Sequence, residues 1–187
     1  MPGGEEGSTS GAIVFGKVSW ASEKASIEVS TNTKYRMQYQ INGTDGQWQE
    51  VSLSEAEEGI RKGNITNLKH NDIANVRLTD GTNYGTPIST TIKDTINPAE
   101  ASINLSTTEA IAGQTITAQV THTDNESGVN IGASKWVFNA QATNIGTDEG
   151  SYTGTFTNNG ETINIPTSTI GTYYLHVLTV DKAGNRT

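Results

Sequence analysis

The feature that most constrains this chain is a hydrophobic repeat of two. In residues 25–30 the apolar positions are Ala25, Ile27 and Val29; in residues 35–41 they are Tyr35, Met37, Tyr39 and Ile41, with Arg36, Gln38 and Gln40 between them. Side chains of an extended chain point to alternate faces, so this spacing makes strands with one dry face and one wet face. The same pattern returns at 115–121 through Ile116, Ala118 and Val120. Strands are expected at 12–18, 25–30, 35–41, 48–51, 65–68, 73–78 and 87–93, then at 102–105, 115–121, 135–139, 151–157, 162–165 and 172–180. Only residues 55–62 have helical flavour, and their short length and Gly59 leave them a turn or a single helical turn. With no helix long enough to cross over between parallel strands, the strands must pair antiparallel, and turn residues recurring at about every 8–12 positions point to a sandwich.

The turn Asp94-Thr95-Ile96-Asn97-Pro98 divides the chain, because a residue before proline is held extended. A length of 187 residues accommodates two such domains. The organisation expected is a disordered leader or linker at 1–11, rich in Gly, Ser and Glu, one sandwich at 12–96 and a second at 97–187. The fold class is therefore all-β, two tandem antiparallel β-sandwiches.

Composition narrows the chemistry. The chain has no cysteine, which excludes disulfides, thiol nucleophiles and cysteine metal sites. Its net charge of −8 disfavours binding to nucleic-acid phosphates. No apolar run reaches the ~18 residues of a membrane-spanning helix, so direct membrane insertion is not expected. Sequence signatures of nucleophilic, zinc-dependent or phosphate-cradling catalysis are absent, so no enzyme is expected. His122 and His176, on expected strands, are read as solvent-facing.

Two stretches resemble known families. Residues 63–78, with Leu68 and Ala74, are similar to the E strand, loop and F strand of fibronectin type III-like domains, although Ala74 stands where that family has a tyrosine. Residues 35–48 resemble a C strand, turn and C′ strand of the same class. In the second half, residues 94–98, the turn Thr123-Asp124-Asn125-Glu126-Ser127-Gly128-Val129, and the run from Tyr173 to Asn185 resemble the linker, B–C turn and F strand with F–G turn of bacterial Ig-like repeats. The resemblance implies Ig-like (fibronectin type III-like) sandwiches. It also implies that a last strand, G, should follow Asn185, where the sequence has two more residues, so strand G is expected to be missing.

In an Ig-like sandwich the B–C and F–G loops lie at the end where the chain joins strand A. That arrangement would gather Asp94, Asp124, Glu126 and Asp181 at the domain junction, and clustered carboxylates are the hard oxygen ligands that calcium takes. The competing reading is that these are ordinary turn formers whose side chains accept backbone amides. Tyr84, Trp20 and Trp48 are the candidates for stacking on a ligand, with core packing as their alternative. The function expected is a non-catalytic spacer or stalk segment of a larger cell-surface or virion-surface protein. It would be extracellular, on a bacterial surface or a phage particle, with neighbouring domains of the parent protein as partners. The alternatives are an adhesion module for a glycan or host protein, or an accessory module of a carbohydrate-active enzyme.

Overall fold

The alternation is realised as two sets of antiparallel strands in a computed structural model that describes residues 12–43 and 47–187. The leader expected at 1–11 and the tip of the turn at 44–46 lie outside the described residues. The chain divides after Lys93 into two units.

The first unit contains β1 (Ile13–Ala21), β2 (Lys24–Thr31), β3 (Arg36–Ile41), β4 (Gln49–Glu50), β5 (Arg61–Leu68), β6 (Ile73–Thr79) and β7 (Ile88–Thr91). One sheet has the order β1-β2-β5 and the other β4-β3-β6-β7. The inward set of every second residue closes the core: Ile27, Val29, Met37, Ile65, Leu68, Val76 and Leu78 are buried. Residues 55–62 form no helical turn. Glu57 and Ile60 exchange both backbone hydrogen bonds, with Glu58 at φ 49° and Gly59 at φ 77°, which is a two-residue hairpin leading into β5. The corner before β6 is held without a tyrosine hydroxyl. Asp72 accepts from the Lys69 amide at 2.7 Å and from Asn42 Nδ2 at 2.8 Å, while Asn42 Oδ1 accepts from the Ile73 amide at 2.7 Å.

The second unit contains β8 (Ser102–Leu105), β9 (Thr115–Thr121), β10 (Lys135–Asn139), a 3₁₀ turn (Glu149–Ser151), β11 (Gly154–Thr155), β12 (Thr162–Pro166) and β13 (Tyr174–Leu178). Its sheets have the orders β12-β9-β8 and β11-β10-β13. Ala118, Val120, Phe156, Ile163 and Ile165 pack with Trp136, Phe138, Leu175 and Val177 to form the core. A smaller cluster of Val137, Tyr152, Leu178 and Val180, with Ala133 and Ile145, dries the other face of the β10 sheet. Tyr152 carries its hydroxyl out of that cluster to donate to the Gly146 carbonyl at 2.7 Å. Beyond β13 the chain turns back. Thr187 exchanges both backbone hydrogen bonds with Thr179, at 2.8 and 3.0 Å, so a short antiparallel stub stands at the position expected for strand G.

His122 is not solvent-facing. It is buried beside Phe156, its ring centroid 4.6 Å away, and its Nδ1 lies 2.8 Å from Thr179 Oγ1. The reason is phase: position 122 continues the inward set 116, 118, 120. His176 is out of phase with Leu175 and Val177, and its Nε2 bonds the Gln141 carbonyl at 2.9 Å.

Candidate functional site

Three carboxylates meet at one end of the second unit. Asp94, Asp124 and Asp181 each offer an oxygen, and these atoms all lie within 4.8 Å of one another. Asp94 is 3% exposed and Asp181 is 0% exposed. All three residues belong to the second unit, and each is fixed by its own turn. Asp94 Oδ1 accepts from the Ile96 amide at 3.0 Å and its Oδ2 from the Ser127 amide at 3.1 Å, which ties the first residue of the unit to the loop after β9. Asp124 Oδ2 accepts from the Gly128 amide at 2.5 Å, closing that loop where Gly128 sits at φ 87°. Asp181 accepts from the Asn185 amide at 2.8 Å and from Asn185 Nδ2 at 2.7 Å, closing the turn after β13. Asn185 Nδ2 also reaches the Asp94 carbonyl at 3.4 Å.

The turn-former reading therefore holds for each aspartate, and the three turns together bring the charges into contact. Unit charges about 5 Å apart repel by roughly 3 kcal/mol at an effective dielectric near 20. Burial pushes the Asp124 carboxyl above its ordinary value of 3.8, and the charges of Asp181, Asp94 and Glu126 add to the rise against the opposing pull of the Gly128 amide. Asp124 Oδ1 is buried and accepts no hydrogen bond. Glu126 is half-buried and adds its charge, but it is not among the residues whose oxygens share the 4.8 Å cluster. Hydrogen bonds to amides leave a carboxylate oxygen a further lone pair. Two buried carboxylates, a third with an unused oxygen and the nearby Asp94 carbonyl are donors of the type that calcium takes.

The aromatic candidates separate. Trp48 and Tyr84 come together on the outer face of the four-stranded sheet, where the Arg77 guanidinium lies 4.0 Å from the centroid of each ring. Arg77 also donates to Gln38 Oε1 at 3.0 and 2.9 Å, and Gln38 Nε2 donates to Glu50 Oε1 at 2.9 Å. Tyr84 is 55% exposed. Trp20, on β1, instead packs partly against the core of the first unit. Arg77 and Asn185 were not singled out from sequence. Arg77 is legible in retrospect as the outward residue between Val76 and Leu78, but nothing in the pattern says which rings it meets.

No protein-family model and no curated protein matches the chain. Among solved structures it is similar to the full ectodomain (Ig1–Ig3) of mouse nectin-like molecule 4, with 13% sequence identity and a TM-score of 0.34. The match covers 94% of this chain and 61% of that one. Strand order and the two facing sheets of each unit define the architecture as a pair of Ig-like antiparallel β-sandwiches.

Proposed function

We propose that the chain is a non-catalytic structural segment of a larger extracellular protein, a spacer whose second sandwich is stiffened by one bound calcium ion. The observation that carries this reading is the meeting of Asp94, Asp124 and Asp181 within 4.8 Å, two of them buried. Such a cluster stores repulsion when empty and releases it when a divalent cation arrives, so the ion would lock three separate turns to one another. The finer resemblance belongs here too. The three-plus-four strand order of the first unit agrees with a fibronectin type III-like repeat, and the Asp181–Asn185 turn with a bacterial Ig-like repeat, which supports a bacterial cell surface or a phage particle as the setting. Neighbouring domains of the parent protein are the partners this role requires.

A second reading is favoured by a different observation. The Trp48–Arg77–Tyr84 stack presents aromatic surface on an outer sheet face, where a sugar ring or a host protein could dock.

Thermal melts in EDTA and in rising calcium test the first reading. A ligand that binds only the folded state raises the midpoint with its concentration. The wild type is expected to respond and the double variant Asp124→Ala/Asp181→Ala is not. No response in the wild type up to millimolar calcium contradicts the cation site. Binding on a glycan array that is lost with Tyr84→Ala would favour the second reading.

A further inference from the structure

The outer face of the four-stranded sheet holds one arginine whose orientation is fixed on three sides. Gln38 on β3 stands opposite both Arg77 on β6 and Glu50 on β4, so the three share that face. The Arg77 guanidinium carbon lies 4.0 Å from the ring centroids of both Trp48 and Tyr84, which sets the plane of the group. Its Nε and Nη2 both donate to Gln38 Oε1, at 3.0 and 2.9 Å, which sets its rotation within that plane. A guanidinium carries five N–H donors that form two forks. Gln38 occupies the fork of Nε and Nη2. The fork of Nη1 and Nη2 has no acceptor among the described residues, and Arg77 is only half-buried. An open guanidinium fork matches a carboxylate with two parallel hydrogen bonds. An arginine already ordered in the free protein loses little further entropy on binding.

Charge sets the sign of the partner. The chain as a whole carries −8, yet the charged side chains on this face, among the described residues of β3, β4, β6 and β7, are Arg36, Arg77 and Glu50. Glu50 is engaged by Arg36 at 3.5 Å and by Gln38 Nε2 at 2.9 Å. Asp80, in the turn that leads to Tyr84, accepts from the Thr82 and Asn83 amides and from Asn83 Nδ2. The positive charge left over is that of the arginine with the open fork. Beside it, Tyr84 is 55% exposed although Arg77 covers one of its ring faces, so the opposite face is bare. A carboxylate for the fork and a flat C–H surface for the ring come together in a sugar acid. An acidic peptide brings the carboxylate, but its main chain gains hydrogen bonds only along a strand edge. β6 is an interior strand, so the fork stands on the face of the sheet.

We propose that Arg77, held by Trp48, Tyr84 and Gln38, anchors a site for a uronate-containing polysaccharide, with the carboxylate on the Nη1/Nη2 fork and the sugar ring against Tyr84. The proposal rests on the second reading above, in which the stack is a sugar-binding surface, and adds that the sugar is acidic.

The test is isothermal titration of the intact chain in EDTA with oligosaccharides of galacturonate, mannuronate and glucuronate, each against its methyl ester, and with poly-L-glutamate. The ester keeps the ring and removes the charge. At least one uronate is expected to bind, and its ester to bind at least about tenfold more weakly. Arg77→Lys keeps the charge without the fork and is expected to weaken the acid by a similar factor while the melting midpoint of the first unit stays put. Tyr84→Ala, at an exposed ring, is expected to weaken the acid as well and serves as the second variant should Arg77→Lys lower that midpoint. An ester that binds as tightly as its acid would leave the sugar surface standing and overturn the acidic ligand. Poly-L-glutamate binding more tightly than every uronate would make the partner a peptide and overturn the proposal. No binding by any uronate or ester would remove the sugar surface and this proposal together. Wild-type affinity in folded Arg77→Lys, or in Tyr84→Ala, would also overturn it.

Discussion

Asp124 is where the chemistry of the second unit is most exposed to experiment. Its carboxyl is held above the ordinary 3.8, first by burial and then by neighbouring negative charge. A group whose folded value is raised contributes stability that is full below its unfolded value and is lost as pH rises through the folded value. In EDTA, therefore, the second unit should lose stability on this account as pH climbs from about 4 toward neutrality. Asp124→Asn should remove that loss, leaving the variant more stable than the wild type at pH 7 without calcium. Urea melts in EDTA at pH 4.5 and pH 7 check this; a wild type that is the more stable at both contradicts it. His122 works in the opposite sense, since burial lowers its value from 6.5 and stability is lost as pH falls below that. The sequence reading set His122 facing solvent; its burial follows from phase, because 122 keeps step with 116, 118 and 120, and nothing local to either residue encodes its hydrogen bond to Thr179.

At the scale of elements, alternation located the strands, and turns decided where they ended. β1 runs to Ala21 rather than stopping at 18, because Ser22 and Glu23, at φ 51° and 63°, form a two-residue turn from Ala21 to Lys24. Asn-Gly would have announced such a turn; Ser-Glu does not. An L-residue in the left-handed region is strained, so Glu23→Gly should stabilise the first unit by about 0.5–1 kcal/mol, read as a rise in its midpoint. β5 begins at Arg61 rather than 65, although Gly63 and Asn64 are poor strand formers, because Gly63 lets Val51 and Ser52 approach: an added Cβ would sit 2.6 Å from each. The short pairing of β10 with β11 is tighter still. A Cβ on Gly154 would lie 2.1 Å from the Trp136 ring, so Gly154→Ala should destabilise the second unit by about 2 kcal/mol or more. A denaturation midpoint equal to that of the wild type would mean that the indole is free to move aside. The site was legible in part. The expected meeting of the linker and two loops at one end of an Ig-like sandwich singled out Asp94, Asp124, Glu126 and Asp181 together; that Glu126 is not among the clustered oxygens is decided by the folded loop.

For the molecule as a whole, the separate cores of the two units supply an internal control. Glu23→Gly and Gly154→Ala identify which transition belongs to which unit, and calcium should act only on the transition that Gly154→Ala moves. The central claim is that Asp94, Asp124 and Asp181 hold one calcium ion. Isothermal titration of the EDTA-stripped chain with calcium tests it most directly. The account predicts a single site, loss of binding in Asp124→Asn, and proton release that makes the measured heat depend on the buffer when the titration is run near the raised Asp124 value. No heat of binding up to millimolar calcium in the wild type, or the same isotherm in Asp124→Asn, would contradict it.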